Sequence, residues 1–562
     1  MRFSMAAACL LGTALAVKED HLVSRTLSKR FIDDAGHYNI SFYHINDVHA
    51  HLDEFSSSGT DCTRPERGCF GGYARVKTVL KETRPSHPDS LLLNVGDEFQ
   101  GTMFFSFYGG EKIADTLNQI GFDAMTLGNH EFDRGDDHLG QFLENLTFPI
   151  VSANIVSDHP VLNRTIKPFH VFPQYDLAVI GVTTDTTPSI SSPGKGTQFT
   201  DAIVAVQNTI DLIRSTTNIT RLAAITHIGY EEDQRLARET TGLHLIMGGH
   251  SHTPLGDFAG AAGPYPTIAQ NKAGDDVFIV TAYRWGEYLG YIDVTYDAEG
   301  KVLAYHGGPI HLTNTTAQDE GLQAQIDEWR VPFEQYAKQE VGISNVVLDQ
   351  STCQLQECLL GDFVTDAMLA YRLNGSTPET APAFALTNAG GIRATIDQGP
   401  ITRGEVLTAF PFGNAIVEVT ISGERLWATL QGIMARVNVD NGRPVTSFLQ
   451  VSRGVRIEYA PAAANSTSSV LVSVTIGGKP LDKAAEYKIV TLDFIAGGGD
   501  NFFSTPFESP VLLDTLDEVV VRHIGATSPV NIALDGRLKA VSRCKAGRVA
   551  ARRARARAKR SV

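Results

Sequence analysis

From residue 39 to about residue 313 the chain repeats one pattern, a short apolar, β-branched run followed by a polar cluster. The runs fall at 40–45, 91–95, 124–127, 177–182, 222–226, 245–247 and 277–281. Apolar runs without alternation predict strands buried on both faces, because a strand wetted on one side alternates with period two. Helical periodicity fills several intervals, among them 73–82 and 110–120. The pattern predicts an α/β domain of sheets flanked by helices over 39–313.

Residues 314–342 differ. The stretch 318–340 is rich in Glu and Gln, with apolar residues at Leu322, Ile326, Trp329 and Phe333, the spacing of one amphipathic linker helix between two domains. Beyond it, 359–373 and 403–410 predict helices, and 416–421, 454–459, 470–476 and 487–492 predict strands, so 343–540 reads as an α+β domain. Nine of the last twenty residues are Lys or Arg and none is acidic, which makes 541–562 a basic tail with no core-forming face. The 562 residues suffice for several cores, and 43% hydrophobic with 20% charged content excludes wholesale disorder. The net charge is −15 despite the basic tail, which argues against a nucleic-acid surface on the folded body.

Met1 and Arg2 precede an apolar run at 5–16 in which Ala14 and Ala16 form an A-x-A site. This predicts a secretory signal over 1–16; a buried first helix is the alternative. Residues 17–38 then read as propeptide or linker, with a dibasic Lys29-Arg30. No run is long enough to predict a membrane span, and the basic C-terminus does not read as a lipid-anchor signal. N-x-S/T sequons at Asn39, Asn145, Asn163, Asn218, Asn314, Asn374 and Asn465 fit a secreted, extracellular glycoprotein. Cys9 belongs to the signal and Cys544 to the tail. Cys62/Cys69 and Cys353/Cys358 read as two short disulfides on an oxidising route, with free buried thiols as the alternative.

The chemistry lies just past the strand ends. Ile45 leads to Asn46-Asp47-Val48-His49, and Val95 to Gly96-Asp97. Leu127 leads to Gly128-Asn129-His130-Glu131-Phe132-Asp133, Thr226 to His227-Ile228-Gly229, and Met247 to Gly248-Gly249-His250-Ser251-His252. Such positions are where α/β sheets build their sites. Imidazole, carboxylate and amide oxygen without thiolate suit a catalytic divalent metal. Asp47, His49, Asp97, Asn129, His227, His250 and His252 over-supply one ion, so two ions sharing a carboxylate fit better. Such a pair binds phosphoryl oxygens and activates water. Asp133, three residues past His130, would orient that imidazole; a helix or loop N-cap is its alternative role. His44 and His51, which flank the first motif, read as supports behind the ligands or as structural residues.

This ordered set resembles the 5′-nucleotidase family: a calcineurin-like metallophosphoesterase domain followed by a nucleotidase-specific C-terminal domain. The resemblance runs from about residue 39 to 537. It implies a four-layer N-terminal fold and two divalent ions, Zn²⁺ before Mn²⁺, Co²⁺ or Mg²⁺. Asp47, His49, Asp97 and His252 would hold one ion; Asp97, Asn129, His227 and His250 would hold the other. His130 would be the catalytic imidazole, with Asp133 behind it. In the second half, Asn388-Ala389-Gly390-Gly391-Ile392-Arg393, Phe410-Pro411-Phe412-Gly413-Asn414 and the loop from Phe494 to Asp500 resemble the family's substrate-binding segments. The resemblance implies a nucleobase between Phe412 and Phe494, ribose on Asp500, and substrate contacts from Asn388, Arg393 and Asn414. Core packing is the alternative for both rings. Both cysteine pairs fall where secreted animal members carry disulfides, whereas Gln354 stands where those members often have arginine. The expected activity is hydrolysis of nucleoside 5′-monophosphates such as AMP, with domain rotation near 318–340. Its rivals are a nucleoside diphosphate or UDP-sugar hydrolase, a cyclic-nucleotide phosphodiesterase, and a non-catalytic nucleotide-binding ectodomain.

Overall fold

The apolar runs of the first half form two sheets packed face to face. The computed structural model describes residues 36–542, apart from 58, 63–64, 375, 378–379, 463–467 and 508–509. The expected signal, the dibasic pair, Cys9, Cys544, Asn465 and the tail from 543 onward lie outside the described residues.

The first sheet runs in the spatial order Val302–Gly307, Tyr288–Tyr296, Tyr38–Ile45, Ser90–Asn94, Ala124–Met125, Ile150–Val151 and Ile166–Lys167, with Ile310–His311 also paired to Tyr288–Tyr296. Tyr38–Ile45, Ser90–Asn94 and Ala124–Met125 are parallel, while Tyr288–Tyr296 returns antiparallel to Tyr38–Ile45. The second sheet runs Thr267–Gln270, Asp276–Thr281, Leu245–Gly248, Arg221–His227, Leu177–Thr183 and Phe169–Phe172, with the four central strands parallel.

Pleating sends successive side chains to opposite faces. Val179, Ile225 and Met247 meet Phe42, Leu91 and Leu93 between the sheets. Their neighbours Ile180, Ala224 and Ile246 face Val206, Ile210 and Leu236 on outer helices. On the other side, Val76, Leu117 and Leu143 cover the first sheet. The result is four layers, helix–sheet–sheet–helix. The run at 124–127 pairs as strand only over Ala124–Met125, and the chain then curves to deliver Asn129 and His130.

The linker helix is Glu320–Ala337, capped by Asp319, whose side chain accepts from Leu322 N. Leu322, Ile326 and Phe333 are buried in the core of the metal-motif domain. Its far end meets the second domain, where Arg403 N donates to Gln339 O at 2.9 Å. The helix is thus anchored on the first domain and touches the second at its C-terminal end.

The second domain holds a five-stranded mixed sheet in the order Leu449–Val451, Phe384–Asn388, Glu486–Leu492, Ala415–Ser422 and Val511–Thr515. A four-stranded sheet and the helices Leu359–Leu373, Gly423–Ala435 and Leu516–Thr527 complete its core. Cys62–Cys69 and Cys353–Cys358 are bonded, with Cα separations of 5.8 and 4.9 Å. Asn145, Asn163, Asn218, Asn314 and Asn374 are exposed or half-buried. Asn39 is not an open acceptor: its Oδ1 takes a 2.7 Å hydrogen bond from Thr295 Oγ1 and its Nδ2 is buried. Strand pairing with 288–296 explains that departure from the sequon reading. No helix among the described residues is long and apolar enough to cross a membrane.

Candidate active site

Loops from both sheets converge at the carboxyl ends of their parallel strands. Asp47 N donates to Gly96 O at 3.0 Å, and Trp285 N donates to Asp47 O at 2.7 Å. Asp47, His49, Asp97, His250 and His252 all have positive φ, between 49° and 81°. Left-handed backbone is costly for residues with a Cβ and concentrates at functional sites. Packing leaves no alternative there. A Cβ on Gly128 would stand 2.1 Å from Asp97 Oδ1, and one on Gly249 would stand 3.0 Å from Asp47 Oδ2.

Six of the seven sequence-selected residues fall into two tight groups, and Asn129 lines the same cavity as Asp97, His250 and His252. Asp47, His49 and His252 form one group whose potential ligand atoms lie within 4.8 Å of one another, and Asp97, His227 and His250 form a second. Asp97 Oδ2 stands 3.0 Å from His227 Nε2 and 3.8 Å from His49 Nε2, between the two groups. His252 Nε2 is 3.3 Å from Asp47 Oδ1 and 3.1 Å from His49 Nε2.

The ring orientations are fixed from behind. His49 Nδ1 lies 3.1 Å from Phe99 O and His227 Nδ1 lies 2.8 Å from Val95 O. A carbonyl only accepts, so each Nδ1 donates and each Nε2 turns its lone pair inward. Glu131 braces the same loops by accepting from Gly128 N, Asp97 N and Glu98 N at 2.6, 3.0 and 2.7 Å. The motif around Glu131 gives it no chemical role; its bonds to backbone amides become visible only in three dimensions.

The cluster fits divalent cations. Asn129 Oδ1 and His227 Nε2 are buried without a hydrogen-bond partner, the latter facing Asp97 without hydrogen-bond geometry. Burial holds His49, His250 and His252 below the ordinary imidazole range, which favours the neutral, ligating form. Burial also opposes charge on His227, but Asp97 and Asp47 outweigh it and push its pKa up to about 10. The carboxylates draw positive charge to that point, and a metal cation can take the proton's place.

His130 opens a short 3₁₀ turn, His130–Phe132, beside this cluster. Its Nδ1 donates to Asp133 Oδ2 at 2.8 Å, and Ser191 Oγ donates to Asp133 Oδ1 at 2.7 Å. Asp133 therefore holds the imidazole and is not a helix N-cap; the N-cap of Gly135–Asn145 is Arg134. Burial works against protonated His130, yet Asp133 and Asp97 prevail and hold its pKa above the ordinary value. His44 bonds Tyr265 Oη, and His51 bonds the carbonyls of Val48 and Gly59, which makes both rings structural.

The second domain forms the opposite wall of a cavity of about 620 Å³. Asn388, Arg393, Phe412, Asn414, Phe494 and Asp500 all line it. Asn388 Nδ2 and Thr446 Oγ1 donate to the two oxygens of Asp500 at 2.5 and 2.6 Å. Burial raises the Asp500 pKa. A Cβ on Gly499 would overlap the Phe494 ring at 2.5 Å, so the glycine lets that ring lie flat along the loop. The Phe412 ring centre is 5.6 Å from that of His130. Asn414 Nδ2 donates to Asp493 Oδ1 at 3.1 Å. Gln354 is turned to a structural use, its Oε1 accepting from Phe448 N at 3.0 Å.

Residues 40–254 match the calcineurin-like phosphoesterase family, and residues 337–505 match the 5′-nucleotidase C-terminal domain. The 5′-nucleotidase of Homo sapiens is 33% identical, over 90% of this chain and 91% of its own. The chain belongs to the 5′-nucleotidase family. Snake venom 5′-nucleotidase of Naja atra is also 33% identical, over 83% of this chain and 92% of its own. The solved 5′-nucleotidase precursor of Thermus thermophilus superposes with a TM-score of 0.81 at 32% identity, covering 90% of this chain and 99% of that one. As a 5′-nucleotidase family member with a metallophosphoesterase domain, the chain is a hydrolase, and its fold implies divalent metal ions.

Proposed function

We propose that this hydrolase cleaves nucleoside 5′-monophosphates, AMP among them, to nucleoside and inorganic phosphate with two divalent cations. The supporting observation is one cavity with the carboxylate–imidazole cluster and His130 on one wall and Phe412, Phe494 and Asp500 on the other. Asp47, His49, Asp97 and His252 are assigned to one ion. Asp97, Asn129, His227 and His250 are assigned to the second, with Asp97 shared. When bound, such ions supply Lewis acidity toward phosphoryl oxygens and make water a nucleophile at neutral pH.

The chain's own groups do the rest. With Nδ1 committed to Asp133, His130 offers Nε2 to the phosphoryl group and stabilises charge developing there. Arg393 presents a planar fork to phosphoryl oxygens, and Asn388 contacts the substrate beside it. Phe412 and Phe494 stack on the base, a contact tolerant of base identity. Asp500 keeps lone pairs for ribose hydroxyls, and Asn414 borders the base side. The metal-binding region is 39–313, the linker 314–342 and the substrate-binding region 343–540. The N-terminal apolar run, the accessible sequons and two disulfides support secretion as a glycoprotein.

The test is turnover of AMP, ADP, UDP-glucose and 2′,3′-cyclic AMP before and after chelation, then after adding back Zn²⁺, Mn²⁺, Co²⁺ or Mg²⁺. The expected result is fastest AMP hydrolysis, lost on chelation and restored by one of these ions. Faster turnover of another substrate would transfer the assignment to that rival.

A further inference from the structure

Arg284 is a half-buried cation that the proposed roles leave unused. It follows the strand Asp276–Thr281 and lines the active-site cavity. Its backbone neighbours fix it at the metal-ligand end: Trp285 N donates to Asp47 O at 2.7 Å, and Tyr283 O accepts from Asn46 Nδ2 at 2.8 Å. The guanidinium carbon lies 3.7 Å from the centre of the Trp285 ring, a stacked placement that holds the planar fork in one orientation. Its Nε is buried without a hydrogen-bond partner, and among the described residues it forms no ion pair with a carboxylate, although Tyr283, Glu287 and Asp47 are near enough to favour its charge.

The other arginines of this region differ. Arg134 donates to the carbonyls of Phe105 and Ser106, and Arg436 donates to Gln354 O. Gln354, on the cavity wall, is neutral and occupied with Phe448. The substrate-binding domain therefore brings Arg393 as its cation to the metal end of the cavity. Arg284 and Arg393 come from different domains and line the same cavity. Two guanidiniums lining one cavity are stabilised together by a dianion bound between them.

We propose that Arg284 is a positioning residue for the phosphoryl group, supplying from the metal-binding domain a second guanidinium that clamps a phosphomonoester dianion against Arg393. The anion then bridges the two domains, and its binding favours their closure. This rests on the phosphomonoester reading above and adds a residue to it.

The test titrates metal-loaded full-length protein calorimetrically with inorganic phosphate and, separately, with adenosine, and measures KM and kcat for AMP. Wild type is compared with Arg284→Met, which keeps length without charge, and Arg284→Lys, which keeps charge without the fork. Phosphate affinity and kcat/KM for AMP are expected to fall roughly 10-fold to 100-fold in Arg284→Met, in line with a lost charge-assisted hydrogen bond. Adenosine affinity should stay within about twofold, and Arg284→Lys should recover part of the phosphate affinity. Unchanged phosphate affinity in Arg284→Met, or an equal loss for adenosine and phosphate, overturns the proposal. If wild type itself does not hydrolyse AMP, the functional assignment has failed, whichever way Arg284 behaves.

Discussion

Arg393 Nη2 stands 3.4 Å from His49 Nε2, joining the substrate-binding domain to a proposed metal ligand of the other domain. The two domains thus meet at this point, with Arg393 half-buried between them. Arg393→Ala should lower kcat/KM for AMP by about 10-fold to 150-fold, from the roughly 1.5–3 kcal/mol of a hydrogen bond to a charged group. Arg393→Lys should recover little, because an ammonium cannot reproduce two parallel N–H donors. Steady-state kinetics on both variants decides it; full activity in the lysine variant would show that charge alone suffices.

The His130–Asp133 pair makes a different prediction, about turnover and not affinity. His130→Ala should lose about 10²-fold to 10⁴-fold in kcat, the usual range for one proton-transfer or charge-stabilising side chain. Bound metal, measured by mass spectrometry, should stay at the wild-type amount because His130 ligates no ion in this assignment. Asp133→Asn should lose less, since Ser191 still contacts that side chain. Loss of metal together with activity in His130→Ala would make the histidine a ligand instead.

Base stacking is tested by removing the base from the substrate or the ring from the protein. Phe412→Ala and Phe494→Ala should each raise KM for AMP by about 5-fold to 150-fold, from roughly 1–3 kcal/mol per stacked base. Neither should alter KM for ribose 5-phosphate by more than about twofold. Equal losses on both substrates would return the rings to a packing role.

Much of this site was legible because its residues sit in ordered motifs beside apolar runs that fold as written. The strands Leu177–Thr183 and Arg221–His227 extend by only one or two residues beyond the predicted runs. Tertiary contacts wrote the rest. Arg284 sits in a stretch with no motif, and its place on the cavity wall emerges only when the two domains come together. Glu131 works through backbone amides of loops thirty residues away. Asn39 satisfies a sequon, yet strand pairing buries its nitrogen. Gln354 marked a lost cation in sequence; the structure shows the amide supporting Phe448 instead.

The last prediction concerns stability, away from the catalytic cavity. Asp366, on the helix Leu359–Leu373, accepts from Arg537 Nη1 and Nη2 at 2.8 Å each and from Arg453 N at 2.8 Å. Burial alone would raise its pKa, but Arg537 and Arg453 overcome that and hold it below the ordinary carboxylate range. The unfolded carboxyl titrates near about 3.9. Above that pH both states are ionised and the folded state keeps the full benefit. Below it the unfolded chain takes up a proton first, and the benefit is lost as pH falls through the lower folded pKa. Asp366→Asn removes the carboxylate that takes both Arg537 Nη groups while Asp362 and Asp535 stay beside it, a change that costs about 1–3 kcal/mol at neutral pH. Urea unfolding at pH 7 should show that loss, and the gap to wild type should narrow between about pH 4 and pH 3. A gap that stays constant across this window would mean that packing, not ionisation, makes Asp366 important.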